Sequence, residues 1–225
     1  MPTPTAVHAH DRAVVGVAES RLIFCLSVSK GRMMILAKLR EQTAEQHRRL
    51  EAKLDIHARL SSPQGYKSLL EEFYGFYRPL EIHLGAMCPP GFLSNFTARR
   101  KTPLLEKDLL FLELSERDLA QLPQCQKLPT VESEAQAFGC LYVLEGATLG
   151  GQIISKYVAD KLGYESERGA TFFKSYGAEV RAMWCGFVQA LGEYATAHDA
   201  DDEVVAAAVD TFDKFDQWLC RRLPG

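Results

Sequence analysis

From residue 33 onward, apolar residues recur every three or four positions and almost never alternate, so this chain has to fold as packed helices. Leu36, Leu39, Thr43, His47, Leu50 and Leu54 mark one face of a first helix. Ser61-Ser62-Pro63 reads as a stop and restart, with serine as cap and proline in the first turn. Tyr66, Leu69, Leu70, Phe73, Phe76, Tyr77 and Leu80 trace a second stripe, which Pro79 is expected to kink or end. A loop is expected at residues 88–91 (CPPG), and Thr102-Pro103 starts a third helix running through Leu112. Ser115 caps a short fourth that Pro123 ends, and a long helix closes near Gly163. Two more follow, over about residues 176–196 and 202–221, with Asp201, Asp202 and Glu203 suiting the positive end of the last dipole. Strand alternation and internal repeats are absent. The expectation is a single all-α domain over residues 33–225.

Residues 1–32 lack sustained periodicity and read as a leader outside that domain. Their apolar stretch at 22–28 is followed, not preceded, by the basic Lys30 and Arg32, the reverse of a signal peptide. No uninterrupted apolar run is long enough to span a bilayer. The net charge of -3 gives no electrostatic reason to expect nucleic acid or an anionic membrane as partner. Six scattered cysteines without a CxxC pair argue against a zinc site or disulfide framework and fit a reducing, cytoplasmic setting.

Two constellations carry chemistry. On the first helix, His47 lies in the middle of the apolar stripe. It is either a core histidine satisfied by one hydrogen bond or an axial ligand to haem iron, a role imidazole fills. Arg40, two turns earlier and about 10 Å along the axis, could then pair with a propionate, or it is an ordinary surface charge. Glu51, one turn beyond His47, raises a carboxylate-metal alternative, but no Glu-x-x-His motif occurs elsewhere to complete one.

The second is LYVLEGATLGGQIIS at residues 141–155, where Gly146, Gly150 and Gly151 interrupt a helical pattern. Each costs roughly 1 kcal/mol relative to alanine. No lysine follows the glycines and no strand precedes them, so a phosphate loop is excluded. Either the glycines permit close helix packing, or they let a flat ligand lie on exposed backbone where the helix bends.

The helix bearing Thr43, His47 and Glu51, together with LYVLEGATLGGQ and the later FFKSYG at 172–177 with Met183, Trp184 and Phe187, resembles the haem oxygenase family. The likeness is to bacterial members that supply bilin to phytochromes, and it covers roughly residues 36–218. It implies haem b sandwiched between a proximal helix and a glycine-kinked distal helix, as both substrate and cofactor, with no other metal. By that resemblance His47 is the axial iron ligand, with Glu51 beside it. Arg40 and Tyr142 contact propionates, and Gly146, Thr148, Gly150 and Gly151 form the distal wall. The implied reaction consumes O2 and electrons from a ferredoxin or reductase and yields biliverdin, carbon monoxide and ferrous iron. A bilin-accepting phytochrome is the implied recipient. Some relatives carry an aspartate where Ala147 stands, which leaves open what orders distal water; Thr148 offers a hydroxyl that its helical position can turn to the backbone. A haem-transfer protein that never cleaves its ligand is the alternative. A thiamin-degrading relative of the same fold would need neither His47 nor the glycines.

Overall fold

The computed structural model describes residues 30–87, 96–165 and 167–220. The helices, in chain order, are α1 (Lys30–Leu54), α2 (Ile56–Arg59), α3 (Pro63–Met87), α4 (Phe96–Arg99), α5 (Thr102–Phe111) and α6 (Glu116–Gln121). They continue with α7 (Glu134–Leu162), α8 (Thr171–Lys174), α9 (Val180–His198) and α10 (Asp201–Cys220), with a 3-10 turn at Gly177–Glu179 before α9. Among the described residues there is no strand, only isolated bridges from Glu165 to Arg168 and Gly169. Residues 1–29 and the expected loop at 88–91 lie outside the described residues.

Local signals set most of the helix ends. Ser115 accepts from the Asp118 amide while Asp118 accepts from the Ser115 amide, a reciprocal cap that starts α6. Ser133 caps α7 by accepting from the Gln136 amide, and Gly163, at φ 70°, ends it in the left-handed conformation. Pro79 corrects the reading of α3, because the helix runs through it to Met87. A proline inside a helix deprives the carbonyl four residues back of its donor. That carbonyl belongs to Gly75, and it accepts instead from the Cys125 amide at 2.7 Å. Gly75 is what allows the loop so near, since a Cβ there would stand 2.5 Å from both the Pro123 oxygen and the Trp218 ring.

The core is organised by α10, against which both α1 and α7 pack, with α9 touching the same two helices. Lys38–Asp202 at 2.7 Å, Arg49–Asp213 at 2.5 Å and Lys53–Asp216 at 2.6 Å show α1 and α10 running in the same direction. Ser133 bonds Glu203 at 2.5 Å and Thr211 donates to Cys140 Sγ at 3.2 Å, so α7 runs that way too. Gly139 is the close-approach point, where a Cβ would lie 2.6 Å from Ala207 Cβ and 2.8 Å from the Ala208 amide. Gly139→Ala should therefore destabilise the fold by about 1–3 kcal/mol, the usual cost of overpacking, despite alanine's better helix propensity. Urea unfolding of the two proteins measures it; an unchanged midpoint would refute the contact.

Two expectations need amending. α7 has the length and apolar composition of a membrane span even though charged and small residues break its apolar runs, but most of its apolar window is buried inside the domain. Cys185 is disulfide-bonded, whereas Cys125, Cys140 and Cys220 are free. Sequence spacing says little about which cysteines a helical fold brings together.

Candidate functional site

His47 is not a core histidine. Its neighbours on the stripe, Leu39, Thr43, Leu50 and Leu54, are buried, while its own side chain is 52% exposed. Phe212 of α10 meets the imidazole edge-on at 5.8 Å, fixing one side of the ring. Glu51 places a carboxylate oxygen 3.5 Å from Nδ1. A carboxylate on that side favours the tautomer with the proton on Nδ1, which puts the lone pair on Nε2, the arrangement a metal-binding imidazole uses.

Contacts at two levels relate α7 to α1 and to the short α2 that follows it. At one end, Thr43 and Arg40 stand against the Tyr142 phenol. Burial pushes that phenol above its ordinary pKa range, and the Thr43 hydroxyl and Arg40 charge oppose the shift. At the other end, the His57 and Tyr157 rings meet edge-on at 5.0 Å. The offsets in sequence are nearly equal, 99 (from 43 to 142) and 100 (from 57 to 157). Between these contacts the α1–α2 segment faces about 22 Å of α7 at 1.5 Å per residue. In that register His47 comes level with Gly146, and Glu51 with Gly150.

The three glycines divide by what surrounds them. A Cβ on Gly151 would stand 2.7 Å from the Phe173 carbonyl oxygen, so this glycine has a packing reason of its own. A Cβ on Gly146 would make only ordinary contact, at 3.9 Å, with the Trp184 ring, and one on Gly150 would meet nothing within 4 Å. α7 is helical through all three. No packing contact requires glycine at 146 or 150, so their propensity cost is left without a protein-internal reason. A cradle that a side chain would fill, level with a half-exposed histidine, fits a flat macrocycle bound between α1 and α7. Arg40 and Tyr142 close one end of this slot. A cavity of about 410 Å³ lined by His57, Leu60, Ser61, Tyr157 and Lys161 lies at the other. That cavity touches neither His47 nor the glycines, and the facing surfaces, not the cavity, define the site.

Ala147 is exposed, and the Thr148 hydroxyl donates to the Glu145 carbonyl at 2.7 Å, its own backbone. Neither residue offers a carboxylate to the slot.

Sequence reasoning missed what lies behind α7. Glu145, 1% exposed, accepts from Arg99 Nη1 at 2.5 Å, Lys101 Nζ at 2.9 Å and the Tyr176 hydroxyl at 2.6 Å. Burial pulls the Lys101 pKa down, against the pull of Glu145. Glu81 of α3 joins the group by accepting from the Lys101 and Thr102 amides, capping α5. One signal was available, a single acid inside the apolar run FGCLYVLEGA at 138–147. A buried carboxylate demands buried partners.

A family model described as "Heme oxygenase" matches residues 33–221. Among curated relatives, the heme oxygenase of Xanthomonas campestris pv. campestris (strain 8004) is 29% identical over 122 residues, covering 54% of this chain and 68% of that protein. Among solved structures, the heme oxygenase of Neisseria meningitidis, described in NO- and CO-bound forms, superposes with a TM-score of 0.69 at 19% identity. That match covers 83% of this chain and 90% of the other. The heme oxygenase of Leptospira interrogans superposes with a TM-score of 0.66 at 19% identity, covering 83% and 98%. At such identity the superpositions establish the all-α fold.

Proposed function

This chain belongs to the haem oxygenase family, enzymes that degrade haem to biliverdin, and from that membership we propose that it opens haem b at a meso carbon in the slot between α1 and α7. The observation that carries the reading is the pair Gly146 and Gly150. Both lie level with the His47 segment and have no packing need to be glycine.

In this reading His47 binds the iron through Nε2, with Glu51 holding the Nδ1 proton and Phe212 fixing the ring plane. Arg40 and Tyr142 receive propionates at the end of the slot, the first by charge and the second by its hydroxyl. Bound haem supplies the iron where O2 is activated and the macrocycle that is cleaved. The distal backbone does the rest by shape. Gly146 and Gly150 let the ligand face approach α7, and the absence of a base among residues 146–151 leaves proton delivery to water. Thr148 takes no part in this delivery, since it is buried, about 200° round α7 from Gly146, and its hydroxyl proton is engaged by the Glu145 carbonyl. The electrons come from a ferredoxin or a reductase, and the recipient of biliverdin is a phytochrome.

Purified protein, haem, O2 and a ferredoxin–reductase couple test this directly. The expected result is a Soret band on haem addition that decays under turnover as biliverdin absorption rises. A band that persists through reduction in air would refute cleavage and leave a haem-transfer protein, and no band at all would refute the site.

A further inference from the structure

The carboxylate beside Gly146 is the most fully partnered buried group among the described residues, and no step above uses it. All three Lys101 ammonium protons are engaged, by the Arg99 carbonyl, by Glu145 Oε1 at 2.9 Å and by the Tyr176 oxygen at 2.7 Å. Tyr176 in turn donates to Glu145 Oε1, and Arg99 Nη1 reaches both Glu145 Oε2 and the Met183 carbonyl of α9 at 3.2 Å. Glu145 therefore ties α7 to the α4–α5 junction, to the turn after α8 and to the start of α9. Six and seven residues further on, the segment that follows α7 grips it again. Gln152 Nε2 donates to the Lys174 carbonyl at 2.8 Å, and Gly151 sits against Phe173. Between the two grips Ser175 takes φ 48° and ψ -122°, a conformation L-residues rarely adopt and one that persists only where the surroundings over-determine it. The slot-facing residues 146–150 are thus clamped from behind at both ends by one short strap, residues 171–176.

We propose that Glu145 is a positioning residue that fixes the height of the Gly146–Gly150 backbone over the bound macrocycle, with Tyr176 and Lys101 as its anchors. This rests on the haem reading above. A wall without side chains cannot adjust its contacts by changing rotamers. Its distance from the ligand is set only by where the backbone is held, and a buried charge network is rigid enough to hold it. The clamp also answers the gap at Ala147, because order on the distal side then comes from the fixed backbone and not from a carboxylate in the slot.

Two variants test it, each in the full chain. Glu145→Gln keeps the shape and removes the charge; Tyr176→Phe removes one anchor and leaves the ions, and it carries the test if the first variant does not fold. In the haem-free protein, hydrogen exchange should quicken about tenfold at the amides of residues 147–152, the size expected for losing one charge-assisted hydrogen bond. Exchange in the middle of α10 and α3 should stay at the wild-type rate. In the haem-loaded protein, haem affinity should stay within about threefold, because His47 is untouched, while the biliverdin product broadens from one isomer to a mixture. Exchange that quickens uniformly in every helix would reduce Glu145 to a general stability role and overturn the proposal. So would wild-type exchange at 147–152 with a single product isomer in both variants. A wild-type protein that binds no haem would instead overturn the haem reading, a result the variants do not affect.

Discussion

Gly150→Leu should yield a protein that is more stable than wild type and unable to process haem. The stability half follows from the empty space around the position: a Cβ there meets nothing within 4 Å, so the substitution gains helix propensity with no clash at its first carbon. That gain is about 0.5–1 kcal/mol, or roughly 1–4 °C in melting temperature for a domain of this size. The functional half follows from the same space being where the proposed site would hold the macrocycle. A leucine would hold the ligand away from α7 by more than an ångström, and misplacement on that scale costs on the order of 100-fold in rate. Thermal melts of the haem-free proteins, paired with turnover assays, read both halves. Gly151→Ala is the control of opposite sign, since its Cβ would press on the Phe173 carbonyl and destabilise the fold. If Gly150→Leu turned over haem at the wild-type rate, the slot would not be the site.

His47→Ala should abolish iron ligation while leaving the fold intact. The side chain is half-exposed, and its contacts include one ring edge and one carboxylate at 3.5 Å, so the haem-free protein should lose no more than about 0.5 kcal/mol, the usual range for a surface substitution. Biliverdin formation should fall at least about 100-fold, because even outer-shell partners of a metal ligand are worth roughly 10–100-fold. Glu51→Gln, which keeps the side-chain shape and removes the charge, should cost nearer tenfold by the same scale. The Soret band of the alanine variant should move to the position of haem without a histidine ligand. An unshifted band would place the iron on another residue.

Periodicity made the helices legible because each apolar stripe in this chain reports one buried face, and the ends were readable where a cap or breaker acts locally. Ser115, Ser133 and Gly163 are of that kind. Pro79 was not, because whether a proline ends a helix depends on a distant donor, here the Cys125 amide, reaching the orphaned carbonyl. The site was half legible for the same reason. His47 and the glycines could be seen as unusual within their own helices. Which glycine packs and which stands open depended on Phe173 and Trp184, more than twenty residues away in sequence. Glu145 could be noticed as an acid in an apolar run, but its role depends on Arg99, Lys101 and Tyr176 from separate segments.

The parallel pairing of α1 with α10 bears on biogenesis. The ion pairs joining them span 163 and 164 residues of chain, and α9, the other helix packed on α1, is also made late. During synthesis the histidine helix therefore leaves the ribosome well before the helices it packs against. Phe212 of α10 stands against His47 and Trp184 of α9 against Gly146, so the slot proposed for haem is incomplete until both helices are made. On that reading a nascent chain does not capture the macrocycle early, at the cost of a long-range closure step that slows folding.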